Sequence, residues 1–249
     1  MLRTEDLCFT YNKQGRLILN KINIELADGE IGIVLGKNGS GKTTLFTNIL
    51  GINKPISGAV YFDEKDLSKM SHHEKAKVVA YVPQHIHFGD LSVFEAVLLG
   101  RVSHYNIHES ANDYKIVENI LSEMGLENLA GRNAEELSGG EKQKIAIARA
   151  MAQEPQLLIF DEPTGNLDLA NEHLIIEEAK RLSKCKGISI LSSLHNLNQA
   201  INVGDKFFFL KDGVMRYCGG KELFTSDIIK EIFDVDMRIA NIDGQTIIY

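Results

Sequence analysis

Runs of apolar residues alternate with amphipathic stretches along the chain, and this alternation predicts strands separated by helices. Residues 31–35, Ile-Gly-Ile-Val-Leu, form a continuous apolar run that is typical of a strand buried on both faces. Further strands are predicted at 78–82, 157–160, 188–192 and 206–210. Helices are predicted at 43–50, 92–100, 109–124, 139–152, 169–184 and 220–233. This order of elements predicts an α/β fold with a mostly parallel sheet.

Predicted helices cluster in the middle of the chain, between about 88 and 150, where no strand is predicted. This clustering predicts a helical subdomain at about 88–150, inserted into a core that comprises about 1–87 and 151–249. The 249 residues are therefore expected to form a single domain. Near the C-terminus, Asp243-Gly244 lies between two β-type runs and predicts a hairpin.

Composition excludes several classes of protein. Hydrophobic residues make up 44% of the chain and charged residues 24%, an ordinary globular balance. The net charge of -7 argues against a partner nucleic acid held on a basic face. The three cysteines, Cys8, Cys185 and Cys218, lack metal-site spacing and are expected to be small buried residues in a reducing compartment. The chain begins without a basic segment followed by an apolar run, so no signal peptide is predicted and a cytoplasmic location is expected.

A glycine-rich loop follows the first buried strand. Residues 36–43, Gly-Lys-Asn-Gly-Ser-Gly-Lys-Thr, fit the pattern G-x-x-x-x-G-K-[ST] between a strand and a helix. Glycines let backbone N–H groups converge on phosphates, and the start of the following helix favours negative charge. We expect Lys42 to reach the β- and γ-phosphates of ATP, and the Thr43 hydroxyl to bind Mg²⁺.

An acidic pair ends a second apolar strand, in the sequence Leu157-Leu158-Ile159-Phe160-Asp161-Glu162. A buried strand that ends in two carboxylates delivers both of them to the edge of the sheet. We expect Asp161 to hold Mg²⁺, and Glu162 to orient and deprotonate the attacking water. A solvated acidic turn before Pro163 is the simpler alternative.

The stretch Leu137-Ser138-Gly139-Gly140-Glu141 opens a predicted helix. Ser138 and Glu141 have the spacing of a helix capping box, so the stretch could be no more than a helix start. Alternatively, Gly139, Gly140 and the helix N-terminus form a second phosphate cradle. Because residues 36–43 already supply one, the second would serve a nucleotide held mainly by another copy of the chain.

With these three motifs in this order, essentially the whole chain resembles the ATP-binding cassette ATPases. The resemblance implies a RecA-like P-loop NTPase core with an antiparallel β subdomain and an inserted helical subdomain. It implies that ATP contacts a set of residues in two regions: Tyr11 against adenine, Gly36, Asn38, Gly39, Ser40, Gly41, Lys42, Thr43 and Thr44 in the phosphate loop, and Ser138, Gly139, Gly140 and Glu141 of a second copy.

The resemblance also assigns roles to three loop residues. Gln84 would contact Mg²⁺ and the attacking water, His195 would contact the γ-phosphate, and Asp168 would couple two subunits. The alternatives are a surface glutamine, a structural histidine and a helix N-cap. The chain departs from the family pattern at Asn196, where aspartate is usual, and at Gly165-Asn166, where Ser-Ala is commoner.

Softer patterns narrow the kind of cassette ATPase. The stretches 67–84, 91–101 and 194–200 resemble the importers of metal chelates, such as iron–siderophore, haem, vitamin B12 or molybdate. This resemblance implies membrane permease partners that contact residues 85–101, a second copy of the chain in an ATP-sandwich dimer, and a separate substrate-binding protein. The expected location is the inner face of the cell membrane. A soluble ATPase of iron–sulfur cluster assembly is the alternative.

Overall fold

The computed structural model describes residues 1–12, 15–105, 108–165, 167–242 and 245–249. Its strands are β1 (Leu2–Phe9), β2 (Leu19–Leu26), β3 (Ile31–Leu35), β4 (Ser57–Phe62), β5 (Lys65–Asp66), β6 (Val79–Val82), β7 (Leu157–Asp161), β8 (Ser189–Ser193), β9 (Lys206–Lys211), β10 (Val214–Gly219), β11 (Ile239–Ile242) and β12 (Gln245–Ile248). Its helices are α1 (Lys42–Ile49), α2 (His72–Ala76), α3 (Val93–Leu98), α4 (Ala111–Glu123), α5 (Gly139–Ala152), α6 (Leu169–Lys186), α7 (Leu197–Val203) and α8 (Ser226–Phe233).

The chain divides into two compact units, and α6 contains a boundary between them. Unit 1 comprises Met1–Met70 and Lys180–Tyr249, and unit 2 comprises Ser71–Ala179. The predicted limits of the helical subdomain, about 88 and 150, differ from the limits of unit 2 and stay a prediction. The helices α3, α4 and α5 do fall within that predicted range, and β6 and β7 flank it.

Unit 1 contains parallel pairings around a fully buried central strand. In β3 every residue is buried, and β3 pairs in parallel with both β8 and β9. β10 then pairs with β9 in the antiparallel direction. The apolar run at 31–35 therefore becomes a strand covered on both faces, as predicted.

Unit 1 also contains an antiparallel sheet in the order β2-β1-β4-β5. Its strands alternate buried and exposed residues, as in β2, where Leu19, Ile22, Ile24 and Leu26 are buried and the residues between them are exposed. No individual strand of this sheet is predicted from the sequence, because these strands lack the apolar runs of a strand that is buried on both faces. One solvated face replaces those runs with an alternating pattern.

Unit 2 joins the parallel pair β6 and β7 to the helices α2, α3, α4 and α5. Gly100 lies in the 3-10 turn Leu99–Ser103 that continues α3. A Cβ atom at Gly100 would lie 2.1 Å from the carbonyl oxygen of Arg149 in α5, so glycine permits this close packing. Of the helix predicted at 92–100, only Val93–Leu98 is α-helical, and its last two residues belong to the 3-10 turn.

Two other expectations need correction. The helix predicted at 220–233 begins only at Ser226, because Thr225 caps it by accepting a hydrogen bond from the N–H of Ile228 at 3.3 Å. The cysteines are not buried: Cys185 and Cys218 are exposed and Cys8 is partly exposed. Strands β11 and β12 form the predicted terminal hairpin, although Asp243 and Gly244 themselves lie outside the described residues.

Candidate ATP-binding and hydrolysis site

The phosphate loop joins β3 to α1 in unit 1. Gly36 lies so close to β9 that a Cβ atom would sit 2.2 Å from the carbonyl oxygen of Leu210. Gly39 and Gly41 have positive φ angles of 78° and 112°, a region that favours glycine. Nothing lies within 4 Å of the position of a Gly39 Cβ atom, so this side of the loop is open. The glycine spacing therefore produces a compact loop with one free face.

The loop contains polar groups that can donate hydrogen bonds to an anion. Lys42 is buried, and its ammonium donates to the carbonyl oxygens of Gly36 and Lys37 at 3.0 and 3.4 Å. The buried hydroxyl of Ser40 has no hydrogen-bond partner within the described part of the chain. Thr43 and Asn38 are exposed. A buried hydroxyl without a partner is costly, and a phosphate oxygen would satisfy it.

Tyr11 lies at the edge of the same unit, after β1. Its ring is 64% exposed and packs edge-on against Phe9, with 4.9 Å between ring centroids. Its hydroxyl lies 3.2 Å from the hydroxyl of Thr44 in α1. An exposed ring tethered beside the phosphate loop suits stacking on a base.

The acidic pair lies in unit 2, at the end of β7. Asp161 is 2% exposed and accepts a hydrogen bond from the Tyr81 hydroxyl at 3.3 Å. Burial, with the nearby Asp161 carboxylate as a smaller cause, raises the pKa of Tyr81 above its usual value. Tyr81 therefore stays protonated and serves as a donor to Asp161 across the physiological range.

The backbone leaves the extended conformation of β7 at Glu162. Its φ angle of 51° is unusual for a residue with a side chain. Its carboxylate accepts a hydrogen bond of 2.5 Å from the side-chain amide of Gln84, which follows β6. Two adjacent acids on an extended strand would point to opposite faces. The turn at Glu162 gives the two carboxylates different surroundings, and the structure brings Gln84 and Glu162 together.

The Leu-Ser-Gly-Gly-Glu stretch also lies in unit 2, at the start of α5. Ser138 caps the helix and forms a capping box with Glu141, as the spacing predicted. Hydrogen bonds from Ser138 hold the pKa of the Glu141 carboxyl below its usual value. Gly139 is exposed, whereas Gly140 is buried, and a Cβ atom at Gly140 would lie 2.4 Å from the side chain of Asn171.

Asp168 is the N-cap of α6, since its carboxylate accepts from the N–H of Asn171 at 2.8 Å and from the Asn171 side chain at 3.0 Å. This contact links Asp168, through Asn171, to Gly140. Asn171 was not among the residues predicted for the site. Its spacing of three residues from a capping aspartate was the available signal. Asn166 lies outside the described residues.

His195 follows β8 in unit 1 and is exposed. The next residue, Asn196, caps α7 by accepting hydrogen bonds from the N–H groups of Asn198 and Gln199, at 2.9 and 3.1 Å. Asparagine retains the acceptor oxygen that an aspartate would supply for this cap. The departure at Asn196 therefore preserves the geometry of the helix that follows His195.

The arrangement matches a known family along most of the chain. The family model described as ABC transporter matches residues 19–165. The chain belongs to the ABC transporter family. In this ABC ATPase, the phosphate loop, the acidic strand end and the Leu-Ser-Gly-Gly-Glu stretch all lie within the matched region.

Relatives of this ABC ATPase agree with that assignment. It is 37% identical over 243 residues to the iron(3+)-hydroxamate import ATP-binding protein of Bacillus subtilis, covering 96% of this chain and 90% of that protein. It superposes with a TM-score of 0.86 and 30% identity on a structure described as an inward-facing metal-chelate type ABC transporter, covering 100% and 95% of the two chains.

A further solved structure is the dimeric, post-hydrolysis state of an ATP-binding cassette bound to ADP and Pi. The TM-score is 0.78 and the identity 28%, with 88% of this chain and 98% of that chain covered. These matches confirm the P-loop NTPase fold and the ATPase activity expected from the sequence. They do not favour the iron–sulfur assembly alternative. In the described part of the chain, no helix combines the length and apolar character of a membrane span.

Proposed function

We propose that this ABC ATPase powers an importer whose cargo is a metal chelate or a related ligand. The relative in Bacillus subtilis is named for iron(3+)-hydroxamate import, and the structural neighbour is described as metal-chelate type. The stretches 67–84, 91–101 and 194–200, which resembled this class from sequence, lie in both units of the chain.

ATP is the substrate and Mg²⁺ the metal cofactor in this proposal. Residues 36–44 bind the phosphates, and Tyr11 stacks on adenine. Oxygen ligands from Thr43, Asp161 and Gln84 are of the kind that Mg²⁺ prefers. The amide group of Gln84 donates to Glu162, which leaves its carbonyl oxygen for the metal. When bound, Mg²⁺ would neutralise charge on the phosphates.

The hydrogen bond between Gln84 and Glu162 is the observation that carries the proposed chemistry. It holds one carboxylate oxygen of Glu162 at 2.5 Å and leaves the carboxylate in one orientation. A carboxylate fixed in this way can accept a proton from a water molecule that attacks the γ-phosphate. His195 contacts the γ-phosphate in this proposal, and Asp168 connects the site to a second subunit.

The proposed assembly contains two copies of the chain and a membrane permease. Each ATP is held by residues 36–43 of one copy and by residues 138–141 of the other. Residues 85–101 contact the permease at the inner face of the membrane, and a substrate-binding protein delivers the cargo. The exposed Leu99 and Val102 give this part of unit 2 an apolar surface for such a contact. Co-purification of a many-span permease from native membranes tests this assignment.

Replacement of Glu162 by glutamine tests the chemistry. Glutamine cannot accept the proton from water, so Glu162→Gln is expected to lower ATP turnover at least ~100-fold while ATP still binds. Turnover is measured by phosphate release, and binding by equilibrium titration with ATP. The matched control is Glu64→Gln, because Glu64 also has a positive φ angle, of 60°, and lies in a turn beside β5. Near-normal turnover in Glu162→Gln would refute the role of Glu162 as the base.

A further inference from the structure

We propose that the described part of the C-terminal segment, residues 226–242 and 245–249, positions two elements of the ATP site, namely the phosphate loop and the loop that contains His195. Asp234 and Asn198 are the positioning residues. This inference rests on the proposed function, because it takes the roles of those two loops as given. All of the residues involved belong to unit 1.

The first contact joins the end of α8 to the phosphate loop. The Asp234 carboxylate accepts from the ammonium of Lys37 at 2.5 Å and from that of Lys211 at 3.1 Å. Together these two lysines hold the pKa of Asp234 below its usual value. A cavity of about 290 Å³ lies here, lined by residues 37–40 of the loop, residues 210–212, Ile232 and Asp234. The ion pair therefore connects the end of α8 directly to the phosphate loop.

Lys37 connects Asp234 to other residues of the phosphate loop. Its own carbonyl oxygen accepts from the N–H of Ser40 at 3.1 Å and from the Lys42 ammonium at 3.4 Å. A shift of Lys37 would therefore move an acceptor of the lysine that reaches the phosphates. Asp234 in turn is fixed as the C-cap of α8, with a φ angle of 56°.

The second contact joins the terminal hairpin to α7. The side chain of Asn198 donates to the carbonyl oxygen of Ile248 at 2.9 Å and accepts from the N–H of Ile248 at 2.8 Å. Asn198 thus pairs with β12 as a neighbouring strand would. Ile248 is 3% exposed, and Arg238 and Tyr249 exchange two backbone hydrogen bonds that close the base of the hairpin.

Asn198 lies three residues after His195, and its own N–H donates to the cap residue Asn196. The hairpin therefore fixes the first turn of the helix to which the His195 loop is attached. The two contacts are expected to affect different steps, because the phosphate loop binds ATP and His195 acts on the γ-phosphate during turnover.

The phosphate-loop contact is tested with Asp234→Asn. Asparagine tolerates the left-handed backbone of Asp234 but removes the charge. Asp236→Asn is the matched control, because Asp236 pairs with Lys230 at 2.7 Å on the same segment and its side chain is 83% exposed. Titration with a non-hydrolysable ATP analogue should show about two- to fivefold weaker binding for Asp234→Asn only. The difference should shrink at high salt, since exposed ion pairs are screened.

A double-mutant cycle separates positioning from general destabilisation. If Asp234 acts through Lys37, Asp234→Asn should have no effect on affinity in a Lys37→Ala background. Equal affinities of the Asp234→Asn and Asp236→Asn variants would overturn this part of the proposal, and so would a loss that persists without Lys37.

The hairpin contact is tested with Asn198→Ala. We expect kcat to fall about tenfold, because two hydrogen bonds are lost, while affinity for the analogue stays within about twofold. Asn198→Asp, which keeps the acceptor but loses the donor, should be intermediate. Asn23→Ala is the control, since the Asn23 side chain also accepts one hydrogen bond from and donates one to a distant segment, at Asp6.

His195→Ala distinguishes failure of this inference from failure of the proposed function. If His195→Ala retains normal turnover, the role proposed for His195 is wrong. If His195→Ala is slow, Asn198→Ala should add no further loss in that background. A loss of kcat in Asn198→Ala that is equal to the loss in Asn23→Ala, or that adds fully to His195→Ala, would overturn the positioning role of Asn198.

Discussion

At the scale of single residues, a buried ion pair stabilises unit 2. Arg101 and Asp113 form an ion pair at 2.9 Å, with side-chain exposures of 4% and 6%. Arg101 also donates to the Ala152 carbonyl oxygen and to the carboxylate of Glu154, both at 2.7 Å. This network ties the turn after α3 to α4 and to the end of α5. Buried pairs of this kind are costly to break because the partner is left uncompensated.

Asp113→Asn is expected to lower the free energy of unfolding by about 3 kcal/mol at pH 7. Hydrogen bonds from Ser110, and then from Arg101, lower the pKa of Asp113 from 3.8 to about 2 in the folded protein. Because the folded pKa is the lower one, this carboxylate stabilises the protein above pH 3.8, and its contribution is lost as the pH falls towards 2.

Urea unfolding of both proteins between pH 7 and pH 3 measures this difference. The gap between wild type and Asp113→Asn should be constant at neutral pH and should narrow below about pH 4. The exposed Asp236→Asn serves again as the control and should stay close to wild type. A gap that is independent of pH would show that the charge of Asp113 is not what stabilises the fold.

At the scale of elements, much of the secondary structure could be predicted because the signals were local. The strand at 31–35 and the helix at 139–152 were predicted with their observed bounds. The strands β1, β2 and β4 were not individually predicted, because pairing across distant segments decides them, as in Leu2 opposite both Leu26 and Phe62. The same limit applies to the site: motif spacing identified Ser138, whereas the contacts of Asp234 and Asn198 join segments that are distant in the sequence.

Capping boxes occur at the start of four described helices, which bears on the Leu-Ser-Gly-Gly-Glu stretch. Ser71, Ser92, Ser110 and Ser138 all cap their helices with an acidic partner three residues later. The box at Ser138 and Glu141 has nearly the same distances as the box at Ser92 and Glu95. The cap is therefore structural, and the pair of glycines after Ser138 is what distinguishes α5.

Ser138→Ala and Ser92→Ala separate these two contributions. Each should cost about 1 kcal/mol of stability from the lost cap. Only Ser138→Ala should also reduce ATP turnover, because Ser138 additionally faces the nucleotide of a second copy in the proposed dimer. Thermal unfolding and phosphate release measured on both variants test this. Equal turnover in the two variants would mean that Ser138 is no more than a helix cap.

At the scale of the whole molecule, the two units contribute different halves of the proposed ATP sandwich. The phosphate loop lies in unit 1, and the Gly139-Gly140 pair lies in unit 2. In a head-to-tail dimer, each ATP would use the loop of one copy and the glycines of the other. A variant that lacks only one of these halves should then regain part of its ATPase activity when it is mixed with a variant that lacks the other half.

Lys42→Ala and Gly140→Ala provide the two damaged chains. Loss of the Lys42 ammonium weakens phosphate binding, and a Cβ atom at Gly140 would displace Asn171, which lies 2.4 Å away. Each variant alone should be nearly inactive.

Random mixing places half of the chains in mixed dimers, each with one intact site and one site that lacks both halves. Phosphate release should therefore recover to about a quarter of the wild-type rate. If the mixture releases phosphate no faster than either variant alone, the two copies do not share their ATP sites. If Gly140→Ala alone has the wild-type rate, the glycine is not needed. The reference is a mixture of Lys42→Ala with Glu64→Gln, which is intact in both halves of the site. This mixture should reach about half of the wild-type rate, because a quarter of its dimers have two intact sites and half have one.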